Sequence, residues 1–263
     1  MKLTIIGAGN MGSAIACGLG SRMNNNGLNI CCSDLLPEKL SKIKEMNASI
    51  EVTTNNLSAV KDADIVIIAV KPWLVETILH EIKETLDYEH TLIISIAPGI
   101  DFATLCRFLQ KEGDKMPAIF RIIPNTAIAV KESVNFVATC NATQKQSEQI
   151  NELFNELGLT ISIEERLIPA CTALSSCGIA FAFRYIRAAV EGAVELGINP
   201  DLAKKIEMQT LRGAVTLLET NNNHPEVEID KVTTPGGITI KGLNAMEQAG
   251  FTNAVIKGLK ASV

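Results

Sequence analysis

Leu3-Thr4-Ile5-Ile6-Gly7-Ala8-Gly9-Asn10-Met11-Gly12 opens the chain with a short apolar run that passes at once into G-x-G-x-x-G. The residues after it, Met11 to Met23, carry helical periodicity, so the glycines fall on a strand-to-helix turn. Each glycine then has a task. The first permits a tight turn, the second lets the backbone approach a pyrophosphate, and the third lets helix pack on strand, with the helix N-terminus facing the anion. This pattern predicts a dinucleotide site formed by Gly7, Ala8, Gly9, Asn10, Met11 and Gly12, with NAD(P)H as its ligand. The competing reading is a glycine-rich turn without a ligand; the position at the head of a strand–helix–strand series argues against it.

That series continues outward from the glycines. Apolar runs at Leu28 to Cys32, Ile65 to Val70 and Leu92 to Ile96 alternate with helical patterns at Pro37 to Met46, Trp73 to Leu86 and Phe102 to Leu109. Short apolar strands separated by helices are the mark of parallel βαβ units covered on both faces. The predicted fold is α/β, a Rossmann-type doubly wound sheet. Runs at Ala118 to Ile123, Val134 to Thr139 and Leu159 to Ile163, with a helix at Gln144 to Leu157, extend it. Beyond Glu164 strand signals stop, and helical periodicity holds through Leu167 to Leu196, Pro200 to Glu219, Ile238 to Gln248 and Thr252 to Lys260. The expected organisation is a dinucleotide-binding domain over 1–163 and an all-helical substrate and dimerisation domain over 164–263. Asn221 to Pro225 reads as a polar turn, and Gly197 to Pro200 as a helix stop and restart.

The predicted helix Leu167 to Leu196 would run about 45 Å at 1.5 Å per residue. Its first half is apolar and rich in small residues, with Ala170, Ala173, Gly178, Ala180 and Ala182. Such a helix needs cover on all sides, and a second subunit is the expected source, giving a homodimer through the C-terminal helices with room for further assembly. A membrane span is disfavoured, because Pro169, Thr172, Ser175 and Ser176 interrupt the charge-free run Leu167 to Phe183.

Bulk properties narrow the chemistry. The 263 residues carry a formal charge of -5 from 24 basic and 29 acidic side chains, with no basic run, so a small-molecule substrate is expected and nucleic acid is not. Seven cysteines, an odd number, include no CxxC pair, and no signal peptide precedes Leu3, which points to a reducing, cytoplasmic compartment. The three histidines stand apart from one another and from the cysteines, so no metal site is expected. Asp34, at the end of the second strand and about 20 residues beyond Gly12, is placed to accept hydrogen bonds from the adenosine ribose and to repel a 2′-phosphate, favouring NADH over NADPH. It reads equally as a cap for the helix starting at Pro37. Lys71 reads as part of a turn with Pro72 rather than as a catalytic base.

Gly7 to Gly12, Ala69-Val70-Lys71-Pro72, Ser95-Ile96-Ala97 with Gly99, Pro124-Asn125-Thr126, and Thr233-Thr234-Pro235-Gly236-Gly237 with Thr239 stand in the order of the marker motifs of pyrroline-5-carboxylate reductases, and the chain resembles that family along its whole length. The resemblance implies hydride transfer from NAD(P)H to a cyclic imine, giving proline. It implies that Asn56, Ala69, Val70, Lys71, Pro72 and Ala97 join the glycine loop in holding the cofactor. Val232, Thr234, Gly236 and Gly237 would hold the substrate carboxylate, and Thr239 would hydrogen-bond the ring nitrogen. The sequence departs from the family at Ser176, Cys177, Ile179 and Phe181, where Gly, Ser, Pro and Tyr are usual, and at Asp34 and Leu35, where NADPH users carry Asn and Arg. Two alternatives remain open. A β-hydroxyacid-type dehydrogenase would need a lysine early in the long helix, yet Glu165 to Ala203 contains none. A non-catalytic dinucleotide sensor would have no need of Thr233 to Thr239.

Overall fold

The computed structural model describes residues 1–20, 27–113 and 115–263, which form two compact units, Met1–Ser176 and Cys177–Val263. In the first, eight strands make one sheet in the order β3-β2-β1-β4-β5-β6-β7-β8. They are β1 (Lys2–Ile6), β2 (Asn29–Ser33), β3 (Glu51–Thr53), β4 (Ile65–Ile68), β5 (Leu92–Ser95), β6 (Ile119–Ile123), β7 (Ser133–Cys140) and β8 (Gly158–Ser162). The chain starts mid-sheet, steps outward to β3, then crosses back to place β4 on the other side of β1. Strand order therefore reverses between β1 and β4, and a crevice opens at their C-terminal ends.

The continuous apolar runs are explained by burial on both faces. Leu3, Ile5, Ile65, Ile67, Leu92 and Ile94 enter one core, while Ile6, Val66, Ile68 and Ile93 enter the other. Alternate residues of one strand thus feed opposite layers, as a period of two requires. The covering helices are α1 (Asn10–Leu19), α2 (Pro37–Met46), α3 (Asn56–Val60), α4 (Val75–Ile82), α5 (Phe102–Leu109) and α6 (Gln144–Asn155). The predicted reach of the first helix to Met23 lies outside the described residues.

Three features depart from the sequence expectation. β7 runs antiparallel to β6, because residues 124–132 are too few for a crossover helix and hold only the short 3₁₀ turn Thr126–Val130. β4 ends at Ile68 rather than Val70, which puts Ala69 and Val70 in the loop. β3 and α3 were not anticipated: β3, Glu-Val-Thr, is three residues long and shows no readable period.

The helical run Glu165–Glu195 follows, built from a 3₁₀ turn (Glu165–Leu167), α7 (Ile168–Thr172), a π-helical turn (Ala173–Cys177) and α8 (Gly178–Glu195). The wide turn falls where the sequence begins to depart from the pattern of the family it resembles. There the Ser176 hydroxyl donates to the Pro124 carbonyl at 3.4 Å. Gly197, with φ +91°, ends the run: Ile198 N–H bonds back to the Ala193 carbonyl at 3.0 Å, a Schellman closure.

In the second unit α8 and α9 (Pro200–Asn221) pack together. After them come α10 (Pro225–Val232), a helix the sequence pattern does not signal, α11 (Ile238–Gln248) and α12 (Phe251–Lys260). Val190 and Ala203 are the buried apolar residues of this unit, while Phe183, Leu196 and Ile238 are 66%, 84% and 87% exposed. Within the second unit, the other helices leave most large apolar side chains of α8 exposed or half-exposed. Glu165–Glu195 is also the one helix among the described residues long and apolar enough to cross a membrane.

Candidate functional site

The three glycines of the first loop behave differently. Gly7 sits at φ +108°, and a Cβ there would lie 2.6 Å from the Ala69 carbonyl oxygen; a Cβ on Gly12 would collide with the Gly7 carbonyl oxygen. Packing inside the chain demands both. A Cβ on Gly9 would meet nothing within 4 Å. No protein atom accounts for the missing side chain, and the open space lies over the N-terminus of α1. That helix has no side-chain cap and no acidic residue in its first turn. Its first N–H groups and its dipole face the opening, an arrangement suited to a pyrophosphate. Ala8, Asn10 and Met11 belong to the same turn.

Neighbouring strand ends converge on this loop. Gly7 N–H donates to the Ser33 carbonyl at 2.7 Å, and Ala69 N–H to the Ile6 carbonyl at 2.8 Å, so the loops after β1, β2 and β4 are tied together. A Cβ on Gly7 would also come 3.1 Å from Val70 Cγ1. Lys71 is extended and exposed, and its carbonyl accepts from Leu74 N–H at 2.9 Å, closing the 3₁₀ turn Pro72–Leu74. Trp73, the single tryptophan of the chain, stands 75% exposed on that turn. Ala97 is buried beyond β5, its N–H directed to the Ser95 hydroxyl at 3.4 Å.

Asp34 and Asn56 are engaged in ways the sequence did not reveal. Asp34 Oδ2 accepts from Ala8 N–H at 2.8 Å, and Oδ1 accepts from Leu36 N–H at 3.0 Å. The carboxylate braces the glycine loop and the entry to α2, whose cap position is occupied by Leu36. Lys39 Nζ stands 3.3 Å from Asp34 Oδ2. Asn56 is buried, accepting from the Ser33 hydroxyl at 2.7 Å and donating to Glu81 Oε2 at 2.9 Å, so its side chain fastens α3 to β2 and α4.

A second network escaped the sequence reading. Arg121, inside β6, has a side chain only 7% exposed and donates to Glu165 Oε1 at 2.6 Å. The same oxygen accepts from Phe102 N–H at 2.7 Å. A buried guanidinium without its carboxylate would be strongly destabilising, so Glu165 is pinned to the sheet. Nothing local in the sequence links positions 121 and 165.

In the second unit, Thr234-Pro235-Gly236-Gly237 forms a type II turn: Gly236 has φ +72°, and Gly237 N–H donates to the Thr234 carbonyl at 2.9 Å. A Cβ on Gly237 would come 2.7 Å from Thr234 Oγ1. Gly237 is the cap residue of α11, again without a side-chain cap or an acidic first turn. Backbone donors are therefore presented to solvent where a carboxylate would be favoured. Thr239 lies exposed in that first helical turn, and Val232, 60% exposed, ends α10. The cofactor positions thus all fall in the first unit, and Val232, Thr234, Gly236, Gly237 and Thr239 all fall in the second.

Residues 165–263 match the family model for pyrroline-5-carboxylate reductase dimerisation, and residues 2–99 match the model described as NADP oxidoreductase, coenzyme F420-dependent. The chain is 40% identical over 273 residues to Pyrroline-5-carboxylate reductase 1 of Dictyostelium discoideum, covering 99% of this chain but 48% of that relative. It therefore spans about half the length of that protein. With Pyrroline-5-carboxylate reductase 2 of the same organism the identity is 36% over 274 residues, covering 99% of this chain and 90% of the relative. Among solved structures, Plasmodium falciparum pyrroline carboxylate reductase with NADP bound matches with a TM-score of 0.85 at 26% identity, covering 100% of this chain and 95% of that one.

Proposed function

This chain belongs to the pyrroline-5-carboxylate reductase family, and from that membership we propose that it reduces the cyclic imine of 1-pyrroline-5-carboxylate to L-proline. It is an oxidoreductase with a Rossmann-type first domain and a helical dimerisation domain, using NAD(P)H and working as a homo-oligomer on a small molecule. The observation that carries the substrate assignment is the type II turn ahead of α11, whose backbone donors suit the carboxylate of the imine. We assign cofactor binding to residues 1–163 and substrate binding and dimerisation to 164–263.

The residues divide the work by position. Gly9 and the N-terminus of α1 receive the pyrophosphate, with Ala69 to Pro72 and Ala97 flanking it. A bound reduced nicotinamide supplies the hydride for the imine carbon. Thr234, Gly236 and Gly237 hold the carboxylate, and the Thr239 hydroxyl hydrogen-bonds the ring nitrogen, directly or through water, keeping the developing amine in line. A protonated imine is already electrophilic, so positioning supplies most of the acceleration and no strong general acid is required.

NADH is favoured over NADPH in this proposal. The Asp34 carboxylate closes β2, and Leu35 stands where an arginine would otherwise receive a 2′-phosphate. The homodimer forms through the C-terminal helices, where Phe183 and Leu196 offer apolar surface. Seven free cysteines suit a cytoplasmic location. The test is steady-state oxidation of NADH and of NADPH by the purified protein with 1-pyrroline-5-carboxylate. Turnover with NADH ahead is expected. Cofactor binding without oxidation would overturn the reductase assignment, and a preference for NADPH beyond about tenfold would overturn the use made of Asp34.

A further inference from the structure

Asp34 is not a bare negative charge. Both of its oxygens accept backbone N–H groups, from Ala8 at 2.8 Å and Leu36 at 3.0 Å. Lys39 Nζ lies 3.3 Å from one oxygen and 3.5 Å from the other. Asp34 keeps 11% of its side-chain surface and Lys39 keeps 38%, so the cation is the more open member of the pair. Lys39 owes its place to α2, which starts with Pro37 at its first position and turns residue 39 back toward the end of β2.

On its other side Lys39 borders a cavity of about 630 Å³, lined also by Gly9, Asn10 and Lys42 and by no carboxylate among the described residues. The cavity begins beside the glycine left open to a ligand and is bordered by three lysines, Lys39, Lys42 and Lys131. A ribose seated over Gly9 would carry its 2′ substituent toward this side, where β2 ends. An ion pair presents almost no net charge to that substituent, whereas an isolated carboxylate would repel a phosphate strongly.

We infer that Lys39 is a specificity-determining residue for the cofactor: by neutralising Asp34 and facing the cavity beside Gly9, it supplies the counter-charge that admits the 2′-phosphate of NADPH. The inference rests on the reading of the glycine loop as the dinucleotide site. It limits the NADH preference argued from Asp34, since the preference then belongs to the pair. A lysine on the first turn of α2 takes over part of the task of the arginine that Leu35 replaces.

The test is equilibrium binding of NADH, NADPH, 5′-AMP and adenosine 2′,5′-bisphosphate to the full chain by calorimetry, in the wild type, Lys39→Gln, Lys39→Arg and Asp34→Asn. Lys39→Gln is expected to weaken NADPH and the bisphosphate about tenfold while NADH and 5′-AMP stay within about twofold, and Lys39→Arg should restore both. Asp34→Asn, which frees the ammonium, should raise the affinity for NADPH relative to NADH by a similar factor, and if Lys39→Gln does not fold, the double variant Asp34→Asn with Lys39→Gln decides the matter: the gain should disappear, and a gain that persists overturns the inference. Equal changes for both cofactors, or none, overturn the inference. So does a wild type that binds NADH and 5′-AMP but neither 2′-phosphorylated ligand. A wild type that binds none of the four overturns the dinucleotide reading itself.

Discussion

The sheet unit and the helical unit bury their apolar residues to very different degrees. In Met1–Ser176 the central strands are sealed on both faces, with Ile65, Val66, Ile67 and Ile68 fully buried. In Cys177–Val263 the apolar side chains of α8 through α12 mostly face outward, and Val190 and Ala203 are the buried ones. Two layers of helices on a sheet complete a core within one chain. A few helices of this length leave a long apolar face uncovered, and that face carries the dimerisation match at residues 165–263. The first unit packs its glycine loop within its own core; the second leaves its apolar face and the turn ahead of α11 on the surface.

Substitutions can break or sharpen this contrast. The largest effect is expected from Phe183→Asp, which puts a charge on the exposed face of α8. It should dissociate the oligomer and lower the thermal midpoint by roughly 6–12 °C, about 3 kcal/mol. Light scattering checks the mass, and an unchanged assembly would mean that another face is covered. Within the sheet unit, Gly12→Ala drives a methyl into the Gly7 carbonyl and should cost about 2–3 kcal/mol in urea unfolding. Stability unchanged by that substitution would sink the packing argument. Thr239→Ala, on the exposed turn of the second unit, should lower kcat/KM about thirtyfold, near 2 kcal/mol, with NAD(P)H affinity unaltered; wild-type turnover would remove its assigned role. Gly9→Ala should leave stability within about 0.5 kcal/mol and weaken cofactor binding about tenfold, the reverse of the Gly12 pattern. The smallest effect is a silence. Burial pushes the Cys32 thiol up to about 12 from 9.0, with Cys31 and Cys17 adding to the shift. Cys32 should resist alkylation at pH 8 in the native protein. Because the unfolded thiol ionises first, its contribution to stability is lost as pH rises from 9.0 toward 12, so stability falls through that range.

What could be read in advance depended on the distance over which each signal acts. The strand, turn and helix around Gly7 to Gly12 are local, as are the helices Pro37–Met46, Phe102–Leu109 and Ile238–Gln248, whose bounds were anticipated. Asp101 shows why: its carboxylate accepts from Thr104 N–H at 2.9 Å, a cap written four residues wide. β3 was missed because three residues give too little periodicity, and α10 because its first apolar residues, Val227 and Ile229, stand two apart, a spacing that does not mark a helical face. The reversal at β7 depends on the length of a link, and the hydrogen bond from the Ser176 hydroxyl at the π-helical turn to Pro124 joins residues 52 apart. The Arg121 and Glu165 pair, 44 positions apart, leaves no local trace. At the site, the glycines announced a ligand, but the partners of the Asp34 carboxylate are fixed by how β2 and α2 meet. A charge is legible in a sequence; the company it keeps is not.

Trp73 has a use independent of any chemistry it performs. As the sole tryptophan of these 263 residues, exposed on the loop after β4, it gives the chain one emission centre. Tryptophan emission overlaps the absorption of reduced nicotinamide. Cofactor arriving at the neighbouring glycine loop should therefore dim that single centre and brighten its own fluorescence. The molecule carries its own optical gauge of occupancy, and titrations of the wild type and of each variant above can be followed without a label.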